Sequence, residues 1–222
     1  EGFKNQIKSD FRGTGISEAK YQRNKAYMQY GYGDGIYAMN NEYPEPGTGI
    51  YFNKRLLEEA GIDPESIYDM QATGSWTWEA WMDIMEAVQR DLNGDDIIDI
   101  YGFDSNYSEA VNAAVYSNGS EYVGMEDGKY VYKLEDPATV EALEWINTCL
   151  VEYAVERPTD AQWNYYQEAF LLGNRAFLIE RAYCGASGGW LSWDMMDDYG
   201  FVMFPKGPAA DDYTNLSITN PA

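Results

Sequence analysis

Apolar and polar positions alternate along the chain in short strand-like runs, each followed by a stretch with helical spacing. The clearest unit is 49–61. Ile50, Tyr51 and Phe52 are β-prone, Asn53 is a good helix N-cap, and Leu56, Leu57 and Ala60 make one apolar stripe. Gly61 then stands where a helix C-terminus favours a left-handed residue. Upstream, the pattern predicts a helix over 17–29, a strand over 36–39 and a hinge-like loop over 40–48 that contains Pro44, Pro46 and Gly47. Downstream, Asp63-Pro64 reads as a turn and 72–75 as a small-polar run. Thr77 caps a helix carrying Trp78, Trp81, Met82, Met85 and Val88 at helical spacing.

The rest of the chain continues the alternation. An acidic loop over 91–99 leads to a strand over 100–103 and a helix over 108–116. Asp127-Gly128 between Tyr122-Val123 and Tyr130-Val131-Tyr132 predicts a tight hairpin. Asp136-Pro137 opens a helix whose expected buried stripe is Val140, Leu143, Ile146 and Leu150. A helix over 163–172 stopped by Gly173, a strand over 176–179, a helix over 188–196 and a strand over 201–204 complete the pattern. It predicts an α/β layered fold.

Composition narrows the functional classes. With 222 residues, 45% of them hydrophobic, the chain can bury a sizeable core. Its 37 acids, 15 bases and no histidine give a net charge of −22, which would repel a nucleic-acid backbone. No run of about 18 apolar residues predicts a membrane-spanning helix. The absence of histidine removes Ser-His-Asp and Cys-His catalysis, and Cys149 and Cys184 form no Cys-x-x-Cys metal pair. We expect both thiols to be free and buried. The 20 tyrosines and 7 tryptophans suit polar, flat-faced ligands as well as a packed core.

Four landmarks in order, Ile50-Tyr-Phe-Asn-Lys54, Ser75-Trp-Thr-Trp-Glu79, Phe170-Leu-Leu-Gly-Asn-Arg-Ala-Phe177 and Phe204-Pro-Lys-Gly-Pro208, carry a family likeness. Across about 36–220 the chain resembles the extracellular solute-binding proteins of ABC importers, in the sugar-binding group that includes maltose-binding protein. The resemblance implies an α/β lobe of periplasmic-binding-protein type II, a mixed sheet flanked by helices. It implies the tail of a first lobe and a hinge over 1–48, the second lobe over 49–208, and a return segment over 209–222 that includes Ser217-Ile-Thr-Asn220. The missing first lobe of the parent chain would supply the other wall of the cleft.

The same resemblance implies non-enzymatic capture of a sugar or oligosaccharide for the membrane permease of an ABC importer. The parent would be extracellular, cell-surface or periplasmic, and lipid-anchored or secreted. It points to ligand residues after two strands: Asn106 and Tyr107, beside Asp104 and Ser105, then Glu180, Arg181, Tyr183 and Trp190. Gly188-Gly189-Trp190 matches a Gly-x-Trp that places a stacking tryptophan, although 181–187 adds residues between strand and ring. Trp190 read as core, and Glu180 and Arg181 read as a surface pair, are the alternatives. A carbohydrate-active enzyme fragment, a lectin-like module and a calcium-stabilised adhesion module are the other functional readings.

A second constellation is Asp91, Asn93, Asp95, Ile97 and Asp99. Side-chain oxygens at positions 1, 3, 5 and 9, with a backbone carbonyl at 7, follow the spacing of a loop that wraps Ca²⁺. Asp96 stands at position 6, where glycine is usual, and Gly102 stands where the bidentate glutamate would be. The expectation is a structural Ca²⁺ that fastens helix to strand.

Overall fold

The computed structural model describes residues 47–214, which lie within one unit, Pro46–Ser217. The helix expected over 17–29, the strand over 36–39, the hinge up to residue 46 and the return segment at 217–220 lie outside the described residues. Strand β1 (Thr48–Asn53) runs into helix α1 (Lys54–Glu59). Asn53 Oδ1 accepts from Leu56 N at 3.3 Å, so the expected cap is formed, and Leu56 and Leu57 are buried.

Helix α2 (Glu65–Thr73) occupies a stretch for which only a turn and a polar run were expected. It buries fully only Ile67, so its sequence carries no apolar stripe. Tertiary contacts hold it instead: Tyr68 packs edge-on against Phe52, and Gln71 Oε1 accepts from Met203 N at 2.7 Å. Helix α3 (Trp78–Val88) is capped by Thr77 as expected and buries Trp78, Trp81, Ile84, Met85 and Val88.

Strand β2 (Tyr101–Ser105) leads into α4 (Tyr107–Ser117), and the hairpin β3 (Val123–Glu126) and β4 (Lys129–Tyr132) follows. Asp127 and Gly128 both take positive φ, 49° and 75°, the pair that a two-residue hairpin with the right twist requires. Helix α5 (Pro137–Glu152) begins at Asp136-Pro137, but its fully buried face is Thr139, Ala142, Ile146 and Cys149. Val140 is exposed; Ile146 is buried as expected, but the other three positions of the buried face lie one residue earlier than the expected stripe. The small Thr139 and Ala142 allow the close approach, and Leu143 and Leu150 flank it, partly buried.

Helix α6 (Tyr165–Leu171), strand β5 (Arg175–Arg181), a 3₁₀ turn (Ala182–Gly185), helix α7 (Trp190–Asp194) and strand β6 (Tyr199–Met203) complete the unit. The sheet order is β2-β5-β1-β6. β2 is parallel to β5, and β1 is antiparallel to both β5 and β6, which makes the expected mixed sheet. Ile50, Phe52, Phe103, Phe177 and Ile179 face one core with Trp76 and Trp81; Tyr51 and Leu178 face a second with Tyr166, Phe170 and Leu191. This alternation is the period of two expected of a sheet covered on both sides. Cys149 and Cys184 are free and buried.

Candidate functional site

The register sets which residues meet. Ser105 pairs with Ile179, and Gly49 lies opposite both Glu180 and Met203. The C-terminal ends of β2, β5 and β6 and the start of β1 therefore share one end of the sheet. In open α/β sheets the carboxyl ends of strands are where loops converge on a ligand.

Asn106 leaves β2 and caps α4, its Oδ1 accepting from Ser108 N at 3.0 Å. This fixes the side chain and sets Tyr107, 41% exposed, as the first residue of the helix. Arg181, at the end of β5, pairs with Glu109 on α4 at 2.7 Å, and the other Glu109 oxygen accepts from Thr48 Oγ1 at 2.6 Å. One carboxylate thus ties β1, β5 and α4 together. The hydrogen bond to Glu109 raises the Arg181 guanidinium above its ordinary range.

Glu180 is only 5% exposed. Its carboxylate accepts from Arg181 N at 2.9 Å, Gln167 Nε2 at 3.1 Å and Tyr166 OH at 3.3 Å. It supports the site from beneath, and the surface pair of Glu180 with Arg181 is replaced by the Arg181–Glu109 bridge. Tyr183 projects from the 3₁₀ turn and is half exposed. That turn is pinned by Tyr51, whose hydroxyl donates to Ala182 O at 2.8 Å and accepts from Gly185 N at 2.8 Å. Burial pushes the Tyr51 phenol well above its usual range. Trp190 opens α7 and is half-buried against the cluster of Tyr51, Cys184 and Leu191. The residues 181–187 thus form an anchored turn between strand and tryptophan.

Sequence reasoning passed over a further set. A hollow of about 140 Å³ is lined by Asn106 and Tyr107 together with Arg157, Trp163, Tyr165 and Tyr166. Trp163 precedes α6 and is 66% exposed. The Tyr165 hydroxyl is buried and has no hydrogen-bond partner among the described residues, with Asp104 and Tyr107 beside it. Burial pushes this phenol up strongly. Its hydroxyl packs against the Asp104 carboxyl and the Tyr107 side chain behind the hollow. The available signal was the density of rings in Trp163-Asn-Tyr165-Tyr166, which was absorbed into a helix.

The acidic loop lies at the opposite end of β2. Asp91 Oδ1 accepts from Asn93 N and Gly94 N at 3.0 and 2.7 Å, and its Oδ2 accepts from Asp96 N at 2.9 Å. Asn93 and Asp95 each accept from the amide two residues on, and Asp99 Oδ2 accepts from Leu92 N at 2.8 Å. These donors, Gly94 N–H first, hold the Asp91 carboxyl below its usual range. Among the described residues no group of three or more Asp, Glu, Cys or His side chains is gathered as a metal cluster.

No family model matches the chain, and no curated protein does. Solved structures do. UspC of M. tuberculosis is 19% identical with a TM-score of 0.62, over 94% of this chain and 52% of that one. The ABC substrate-binding protein Lmo0181 of Listeria monocytogenes, in complex with cycloalternan, is 19% identical with a TM-score of 0.61, over 92% of this chain and 47% of that one. The maltose/maltodextrin-binding domain MalE of Bdellovibrio bacteriovorus, bound to maltotriose, is 14% identical with a TM-score of 0.58, over 92% of this chain and 50% of that one. The chain spans about half the length of these proteins. The described residues have the fold of the corresponding part of these solute-binding proteins.

Proposed function

We propose that the chain belongs to a non-enzymatic receptor that captures a sugar or oligosaccharide outside the cell for the permease of an ABC importer. The end of the sheet would form one wall of its cleft, and a first lobe in the parent chain would form the other. The observation that carries this reading is the gathering of exposed rings, Tyr107, Trp163 and Tyr183, with Asn106, Arg157 and Arg181 at one end of the sheet. Sugar hydroxyls both donate and accept, and the C–H face of a sugar stacks on aromatic rings, so this mixture suits a carbohydrate. The cycloalternan and maltotriose of two neighbours support the same class. Ligand bridging both walls would favour the closed form that the permease reads. Calorimetry of the parent against mono- and oligosaccharides tests this: stoichiometric binding without products supports capture. Glycoside turnover would favour the carbohydrate-active enzyme reading instead.

The loop over 91–99, whose acids are not gathered into a cluster in the structure, is proposed to close around a structural Ca²⁺ through Asp91, Asn93, Asp95, Asp99 and the Ile97 carbonyl. In support, Asp96 itself takes φ 66° at position 6, making the sharp turn for which glycine is usual. Asp91 is held ionised by its amide donors. Millimolar Ca²⁺ should raise the melting temperature relative to chelator; an unmoved curve would contradict the site.

A further inference from the structure

The chain holds two Asn-Gly pairs, Asn93-Gly94 in the loop over 91–99 and Asn118-Gly119 at the end of α4. An asparagine followed by glycine is open to attack on its own carboxamide, because glycine has no Cβ to shield the backbone nitrogen that strikes it. By sequence the two pairs are equivalent. The fold separates them.

Asn118 is fully buried. Its Nδ2 donates to Ala138 O at 2.8 Å and to Glu141 Oε2 at 2.9 Å, and its Oδ1 accepts from Ala209 N at 3.0 Å. Gly119 N donates to Tyr116 O at 3.1 Å. The nitrogen that would attack and the nitrogen that would leave are therefore both held, in a packed site with no path for water.

Asn93 is exposed, and among the described residues its Nδ2 makes no hydrogen bond. Its Oδ1 accepts from Asp95 N at 2.9 Å, which folds the carboxamide forward over the Gly94 peptide. The same N–H faces the oxygen on which negative charge collects when Cγ is attacked. Gly94 has φ 79°, and a Cβ built on it meets nothing within 4 Å, so the peptide lies open on that side. One contact opposes attack: Gly94 N donates to Asp91 Oδ1 at 2.7 Å. A bond in an exposed loop opens far more readily than one in a core. At the loop's base, Arg90 N donates to Ile100 O at 3.0 Å and Ile100 N to Arg90 O at 3.1 Å, so α3 and β2 stay joined when the loop opens.

We propose that Asn93 is a site of spontaneous deamidation, at which the chain modifies itself without an enzyme. Gly94 N bonds to Asn93 Cγ and the Cγ–Nδ2 bond breaks. The Gly94 amide proton, carried by water, leaves with that nitrogen as ammonia, and a cyclic succinimide remains. Water then opens the ring, with no net oxidation or reduction. Cleavage at Cγ leaves aspartate at 93; cleavage at the main-chain carbonyl leaves isoaspartate, with one extra methylene in the main chain. Either product adds a negative charge to a loop that already carries Asp91, Asp95, Asp96 and Asp99. Isoaspartate also breaks the spacing that lets residue 93 accept from Asp95 N.

This reaction is independent of the carbohydrate and calcium readings, and chelator in the buffer keeps it so. The test incubates the full chain at mildly alkaline pH and physiological temperature, with peptide mapping by mass spectrometry over time. Asn93 should exchange its amide for a carboxyl group, as a mixture of aspartate and isoaspartate, at least tenfold faster than Asn118. In the urea-unfolded chain the two pairs should react at similar rates, and circular dichroism of the incubated chain should stay that of the folded one. Equal rates at the two pairs in the folded chain would overturn the proposal. So would an unchanged Asn93 in the folded chain after the unfolded chain has reacted to completion.

Discussion

Asp104 is fully buried on β2, and Arg175 of β5 meets it with Nε 3.2 Å from Oδ2. Burial raises the Asp104 carboxyl, opposed by the Ser105 N–H and by Arg175. Removing one partner of such a pair leaves a buried charge, so Arg175→Met should destabilise the fold by about 3–5 kcal/mol at neutral pH. A carboxyl whose folded pKa is raised stabilises the fold below its unfolded pKa of about 3.9 and loses that contribution as pH rises through the folded pKa. Without Arg175 the folded pKa rises further, so the deficit should shrink as pH falls towards about 4. Urea unfolding across that window checks the sign, and a pH-independent deficit would show that Asp104 is not the stranded charge. Burial also pushes both thiols up to about 12. A thiolate-directed reagent at about pH 8 should therefore label neither cysteine in the folded chain and both after unfolding, whereas prompt labelling would contradict the packing.

Asn53→Ala tests the junction of β1 and α1. It removes the cap on Leu56 N and the 2.8 Å bond from Asn53 Nδ2 to Asp197, both at a buried position. The expected cost is about 1–2 kcal/mol, read as a lower urea midpoint with unchanged slope. The same junction shows what was legible in the sequence. Caps at Asn53 and Thr77, the Asp-Gly hairpin and the Asp-Pro helix start are local chemistry, and each formed where its residues stand. Helix α2 was hidden because its order comes from Phe52 and Met203, far away in sequence. The face of α5 was misjudged because the reading followed the largest apolar residues, whereas close packing chose Thr139 and Ala142. At the candidate site, the family likeness located the ends of β2 and β5. It did not reveal that Glu109 ties them together across 72 residues, or that Trp163 lines the hollow from the segment before α6.

The described unit has its tryptophans in two settings, a packed core and a ring-rich sheet end. Trp76 Nε1 is bonded to Met203 O at 2.9 Å, Trp78 Nε1 to Ser117, and Trp145 Nε1 to Met82. Trp163 is exposed and Trp190 is half-buried at the sheet end. The indole N–H resonances of the 7 tryptophans therefore act as a map of where a ligand sits. Carbohydrate capture at the sheet end is tested most directly by titrating a panel of mono- and oligosaccharides into the ¹⁵N-tryptophan-labelled parent and following those resonances. Saturable shifts are expected at Trp163 and Trp190, none at Trp76 or Trp78, and no product sugars. Unmoved Trp163 and Trp190 signals at saturating sugar, or the appearance of hydrolysis products, would contradict it.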